Sequence, residues 1–407
     1  MHRRNGSAEA IGIAAIAIGL VAATVVVVAG ATAAVTVHFA RKVVTPVRKR
    51  EEDVRIIGVD LAGEQITLAA SEESRMAGRY GFWFDRDSGH ARLGEVIEAD
   101  DRTVRRRIES VDFGRLDRAV RGRMNGWYHL GPWELDFPYE NVLVETALGP
   151  APAWVVRTDE PSARWVIQVH GRGAQRTEGL RAVPSTREAG WNTLLISYRN
   201  DGEAPESEDR RYGLGGTEWA DVVAAVDFAV EHGAEQIVLM GWSMGGMISL
   251  QAVLRSSRVR ERLVGVILDS PAIDWVDILR SQGRAYGFPD ELGDAVSRLL
   301  GGPFGGGLTG IAAPISVEEL DPVVRADEFI VPILLMHSVD DGFVPIDGSR
   351  RFAEARPDLI EFEVFDEARH TKLWNHDPVR WNGLVRGWLE RRADGVDRLG
   401  DEAEIVG

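Results

Sequence analysis

Between Ala10 and Val37 the chain carries no charged residue, and most of its side chains there are small and aliphatic. About 20 such residues cross the hydrocarbon core of a bilayer as a helix, so the run predicts a membrane span with some tilt. A cleaved signal peptide is the alternative reading, with Ala31-Thr32-Ala33 offering small residues. The apolar core of a signal peptide runs about 7–15 residues, shorter than this stretch, which favours a retained anchor. Arg3 and Arg4 precede the run, whereas Arg41, Lys42, Arg48, Lys49 and Arg50 follow it. The excess of positive charge after the span predicts that the remainder of the chain lies on the cytoplasmic side.

Beyond residue 54 the pattern shortens to alternating segments bounded by Gly and Asp: EQITLAA, GRYGFWFD, ARLGEVIEA and RTVRRRIES. These predict β-strands in a small accessory region over 51–134, with no pairing implied. Its aromatic residues, among them Tyr80, Phe82, Phe84 and Trp133, are expected mainly in its core. Further on, RWVIQVHG, NTLLISY, QIVLMGWS, LVGVILDSP, VPILLMHS and IEFEVFD are continuous apolar runs ending in turn residues. Runs of that kind suit strands buried on both faces, as in a parallel sheet. A helical pattern over 217–232, closed by Gly233, lies between two of them. Strands alternating with helices give an α/β sheet whose ligands bind beyond the carboxyl ends of the strands.

Composition narrows the partners. Asp and Glu outnumber Lys and Arg by 63 to 47, for a formal charge of −16. Phosphate backbones need a basic surface, so nucleic acid is not an expected partner. The absence of cysteine excludes disulfides and thiolate metal sites. The last residues, 396–407, form an acidic tail.

The candidate chemistry starts at Gly241-Trp242-Ser243-Met244-Gly245, which fits G-x-S-x-G between a buried apolar run and the helical pattern MGGMISLQAVL. In a nucleophile elbow the serine occupies a strained strand-to-helix turn. Side chains two residues before and after it would collide with the neighbouring strand and helix, which accounts for Gly241 and Gly245. Gly246 allows closer helix packing, and the Met244 N–H is aimed to stabilise an oxyanion.

VHGRG, GWSMGG, HSVDDGFVP and EARHT together resemble the α/β-hydrolase superfamily over about 135–395. The likeness is to its serine esterases and prolyl-oligopeptidase-like members, some of which carry a β-rich N-terminal extension. It implies an α/β-hydrolase fold, a mostly parallel sheet with helices on both faces, here preceded by the membrane helix and the β-rich region. It also implies a nucleophile, acid and histidine in that chain order: Ser243, Asp341 and His370. His376 is the rival base, expected to cap the last helix or face solvent. His337 is expected to pack rather than react. Asp340 and Asp269 are the rival acids, and one of Asp340 and Asp341 should face water. The second oxyanion donor implied is the Arg172 backbone N–H, with Gly171 giving room and His170 ordering the loop. Arg172 and Arg176 side chains are expected in solvent or against an anionic substrate group.

The reaction implied is acyl transfer to water, with no metal or organic cofactor. A long insert over about 275–325 is expected to form either a mobile cap over an apolar acyl group or a helical excursion packed on the sheet. Three readings stand at this point: an ester hydrolase, a serine peptidase acting on short peptides, and an inactive scaffold used for binding. The domain plan is an anchor with its basic flank over 1–50, the β-rich region, the hydrolase domain and the tail. Oligomeric state is not legible.

Overall fold

The computed structural model describes residues 30–393. The tail over 396–407 and the apolar stretch Ala10–Ala29 lie outside the described residues. Helix α1 covers residues 30–44, and its last turns are buried, with Ala40 and Val44 at zero exposure. Among the described residues no helix is long and apolar enough to cross a membrane. The expected transmembrane helix is therefore not found there. Instead, the end of the apolar run and the basic flank, together 36–50, fold onto the catalytic domain, because their apolar face has a protein core to bury into.

Six strands then close into a barrel: β1 (Val54–Asp60), β2 (Gln65–Ala69), β3 (Tyr80–Phe84), β4 (Gly89–Ala99), β5 (Thr103–Phe113) and β6 (Arg121–Asn125), ordered β1-β2-β5-β4-β3-β6. A short helix α2 (Glu72–Arg75) joins β2 to β3. Alternation explains the closure. Along β2, Ile66 and Leu68 point inward and their neighbours outward, giving a core with Tyr80, Phe82 and Phe84. Trp133, by contrast, stands 59% exposed beyond the barrel.

The second layer is an eight-stranded sheet ordered β14-β13-β12-β11-β9-β10-β8-β7. Its antiparallel edge is β7 (Tyr139–Thr146) and β8 (Gly149–Val156), strands that the apolar runs did not predict. The parallel part comprises β9 (Arg164–Val169), β10 (Asn192–Ile196), β11 (Gln236–Trp242), β12 (Leu263–Asp269), β13 (Ile333–Ser338) and β14 (Ile360–Phe365). The central strands β9, β11, β12 and β13 are buried almost throughout, so successive side chains feed cores on opposite faces. Ile167 and Leu239 join one core, Val166, Val238 and Met240 the other.

Helices α3 (Val183–Glu188), α4 (Trp219–Glu231), α5 (Met244–Arg255) and α6 (Ser257–Arg262) connect the first parallel strands. Between β12 and β13 the chain makes the helical insert, α7 (Trp275–Ala285), α8 (Asp290–Gly301) and α9 (Gly305–Thr309). Helices α10 (Asp347–Ala355), α11 (Leu373–His376) and α12 (Pro378–Ala393) complete the domain. Two contacts seat the barrel beside the sheet's carboxyl ends: Lys372 Nζ on Glu73 at 2.7 Å, and Asn375 Nδ2 on the Gly126 carbonyl at 2.9 Å.

Candidate active site

Strand β11 ends at Trp242 and α5 begins at Met244, leaving Ser243 alone in the turn at φ 51° and ψ −117°. A non-glycine residue there is strained, and the turn persists because both sides are packed. A Cβ on Gly245 would lie 2.1 Å from the Val169 carbonyl oxygen, and one on Gly241 would lie 2.4 Å from that of Gly245. Both positions thus exclude any side chain. Ser243 N–H donates to the Asp269 carbonyl, and Ala272 N–H donates to the Ser243 carbonyl, each at 3.0 Å.

His370 comes from the loop after β14. Its Nε2 lies 2.9 Å from Ser243 Oγ, and its Nδ1 lies 2.7 Å from Asp341 Oδ2. The turn after β13 closes around Asp341, whose Oδ1 accepts the N–H groups of Phe343 at 2.9 Å and Val344 at 2.8 Å. Burial by itself would raise the Asp341 pKa. The charge on His370 and the hydrogen bonds from His337 and His370 outweigh it and hold the carboxyl well below the usual carboxylate range.

The rival acids and base lie elsewhere. Asp340 is exposed, 3.6 Å from Arg369 Nε. Asp269 is fully buried and accepts Trp381 Nε1–H and the Ser270 hydroxyl, both at 2.9 Å. Burial pushes its carboxyl pKa up. His376 ends α11 against the barrel, near Gly78. The final helix is capped by Asp377, which accepts the Arg380 N–H at 3.0 Å. His170 stacks on Tyr198 and meets Asp201 at 3.1 Å, both in the loop after β10, and within its own loop its Nδ1 lies 3.0 Å from the Gly171 carbonyl.

His337 has a larger part than packing. It is fully buried, its Nε2 lies 3.2 Å from Asp341 Oδ2, and its Nδ1 lies 2.7 Å from Ser349 Oγ. A buried histidine four residues before the acid was the only signal available. Two further residues hold the His370 loop. Thr371, at φ 53°, gives its N–H to Ser270 Oγ at 3.2 Å and takes Arg181 Nη1–H on its carbonyl at 2.7 Å. Arg181 is not singled out by the sequence, because the partners that tie it to the His370 loop, Thr371 and Asn375, lie about 190 positions away.

The loop after β9 abuts the serine: a Cβ on Gly171 would lie 3.3 Å from Ser243 Cβ. The Gly171 N–H is already committed to buried Glu178 at 2.7 Å. Among the described residues neither the Met244 nor the Arg172 backbone N–H donates a hydrogen bond, so both remain open. The Arg172 side chain is neither free in solvent nor turned to a substrate. It bonds backbone carbonyls at the end of α1, an arrangement taken up below. Arg176 pairs with Glu203 at 3.3 Å and lies over the Trp154 ring.

Residues 164–299 match the profile of the alpha/beta hydrolase fold family, over the segment that holds β9, the elbow and the start of the helical insert. Over that segment the chain has the α/β-hydrolase fold. An esterase of Pyrococcus furiosus shares this hydrolase's fold at a TM-score of 0.50 and 21% identity, over 65% of this chain and 94% of its own. A puromycin-hydrolyzing peptidase of Mycobacterium tuberculosis aligns at a TM-score of 0.47 and 19% identity, over 79% of this chain and 44% of its own. Among curated relatives, an uncharacterized Bacillus subtilis protein, YqkD, is 20% identical over 57% of this chain and 73% of its length. The multifunctional-autoprocessing repeats-in-toxin of Vibrio cholerae is 23% identical over 50% of this chain, which spans only 4% of that protein. Residues 55–125, the barrel, match a domain of unknown function, DUF8805.

Proposed function

We propose that this hydrolase cleaves carboxylic esters through an acyl-serine intermediate. The observation that carries the reading is the continuous chain Ser243 Oγ, His370, Asp341 at 2.9 and 2.7 Å. In it, His370 Nε2 takes the Ser243 proton as Oγ attacks the carbonyl carbon. Asp341 fixes the tautomer that carries its proton on Nδ1 and stabilises the imidazolium. The N–H groups of Met244 and Arg172 receive the developing oxyanion. His370 then passes its proton to the leaving oxygen, and a water repeats the sequence to release the acid.

A peptidase is the second reading, and one feature favours it. A cavity of about 280 Å³ between barrel and catalytic domain is lined by Arg50, Asp53, Trp127, Glu178, Thr371 and Lys372. Its polar walls, next to the residue that follows His370, suit a peptide better than an acyl chain. Initial rates on p-nitrophenyl esters and on matched peptidyl amides separate the two. We expect kcat/KM for the esters to exceed that for the amides at least about 10²-fold. The reverse order makes the enzyme a peptidase.

We also propose that the apolar run Ala10–Val37, which leads into α1, anchors the enzyme in a membrane with its catalytic domain on the cytoplasmic side. The length of that run and the basic residues after it support this. Full-length protein released from membranes by alkaline carbonate would overturn the anchor.

A further inference from the structure

The end of α1 and the residues after it are wired into the loop that follows β9. The helix leaves its last carbonyls without partners inside the helix. The Arg172 guanidinium takes them: Nε donates to the Val43 carbonyl at 2.8 Å, and Nη2 donates to those of Lys42 at 2.5 Å and Thr45 at 3.2 Å. A cation is also the charge that a helix C-terminus favours. Next along the loop, the Gly173 carbonyl accepts Arg50 Nη2–H, and the Gly173 N–H donates to Tyr212 Oη at 3.3 Å. Tyr212 closes the circuit, its own N–H donating to the Val44 carbonyl at 2.8 Å.

The same helix also grips the α7–α9 insert. Phe39 packs edge-on against Tyr286 and Phe288, at centroid distances of 5.4 and 5.6 Å. Lys42 Nζ donates to Tyr286 Oη at 2.8 Å, and Arg41 Nε donates to the Leu308 carbonyl at 2.5 Å. A tether needs none of these bonds. They join the N-terminal segment to Arg172, which follows Gly171 in the loop that abuts Ser243 and whose backbone N–H, like that of Met244, is open.

We propose that α1 and residues 45–50 position the oxyanion loop, with the Arg172 side chain as the link that holds the Arg172 peptide in register with Ser243. Arg172 thus has two separate parts. Its backbone N–H meets the oxyanion, and its guanidinium fixes where that N–H points. The inference rests on the ester-hydrolase reading of the site, and it makes the N-terminal segment part of the catalytic machinery. Displacement of about 1 Å at a catalytic group costs on the order of 10²-fold in rate.

The test compares wild type with Arg172→Ala and Arg172→Lys in full-length protein, using a p-nitrophenyl ester and a trifluoromethyl ketone whose adduct oxygen occupies the oxyanion position. For Arg172→Ala we expect kcat to fall on the order of 10²-fold with KM changed by less than about threefold, and ketone affinity to fall in parallel. The pH midpoint for acylation, which reports His370, should stay in place. Arg172→Lys keeps the charge but not the fork, and its kcat should fall between the two. Wild-type kcat in either folded variant, or a loss confined to KM, overturns the proposal. So does a loss of thermal stability with kcat and ketone affinity unchanged. Should the alanine variant not fold, the lysine variant decides by the same criteria. Wild-type protein that takes no fluorophosphonate on Ser243 would instead remove the hydrolase reading itself, and this inference with it.

Discussion

His337 and His370 share a single carboxylate oxygen, Oδ2 of Asp341, at 3.2 and 2.7 Å. Both backbone donors of the turn meet the other oxygen, so the carboxylate is saturated and has one orientation. Replacing Asp341 by Asn keeps the shape but favours the wrong His370 tautomer. We expect kcat to fall about 10⁴-fold, while Asp340→Asn, at an exposed position, stays within about threefold. Steady-state kinetics on one ester decides both.

The low pKa of Asp341 also sets an acid limit on stability. The folded carboxyl titrates below the unfolded value of about 3.9, so its stabilising contribution is full above that value. The contribution is lost as pH falls from about 4 toward the folded pKa, where the unfolded chain binds the extra proton. Urea midpoints between pH 6 and pH 3 should therefore drop more steeply for wild type than for Asp341→Asn. Parallel curves would contradict the assignment. Asp269, whose pKa is raised, works in the opposite sense, so the comparison must be made between variants rather than on wild type alone.

Truncating His337 removes bonds to Ser349, Val344 and Asp341 inside a sealed site. His337→Ala should cost roughly 2–3 kcal/mol in urea unfolding, the range for buried groups left unpaired. Activity should fall far less than for His370→Ala, because His337 never meets Ser243.

Arg181 is buried, with 2% of its side chain exposed, between Glu178, Asn375 and the Thr371 carbonyl. Arg181→Met strands the Glu178 carboxylate and frees the Thr371 peptide. A loss of about 3–5 kcal/mol is expected, the usual result of breaking a buried charge pair from one side. Unfolding by urea measures it, and a change under about 1 kcal/mol would show that Glu178 is held by other means.

Gly245→Ala tests the elbow. The added methyl meets two backbone oxygens, those of Val169 at 2.1 Å and His170 at 2.4 Å, which no rotamer relieves. Overpacking of this kind costs about 1–3 kcal/mol or more and moves β9 away from the serine. We expect ester turnover to be lost even where the variant still folds.

These contacts also mark where sequence reading stops. The parallel strands were legible because burial on both faces writes an unbroken apolar run, as in the IVLMGW of β11 and in β13. The elbow was legible because Gly241, Ser243 and Gly245 answer to backbone clashes within a few residues of one another. The barrel pairing was not, since alternation in β2 tells which side chains face inward but not which strand lies beside it. Strand β7 sits at the antiparallel edge, where mostly exposed positions leave a weak pattern, and the apolar run of β8 is interrupted by Pro150 and Pro152. The sequence puts the Arg172 side chain in solvent or against an anionic substrate group, because its partners, Lys42 to Thr45, are about 130 positions away and are carbonyls, which every residue has. For the same reason the basic flank after the apolar run looked like a membrane signal alone, whereas Arg41, Lys42 and Arg50 each bond to the hydrolase domain.

Site mapping of a fluorophosphonate adduct by tandem mass spectrometry tests the central assignment most directly. The account predicts one adduct, on Ser243, formed rapidly in wild type and slowed at least about 10³-fold in His370→Ala. An adduct on another serine, or full ester turnover by Ser243→Ala, would contradict it.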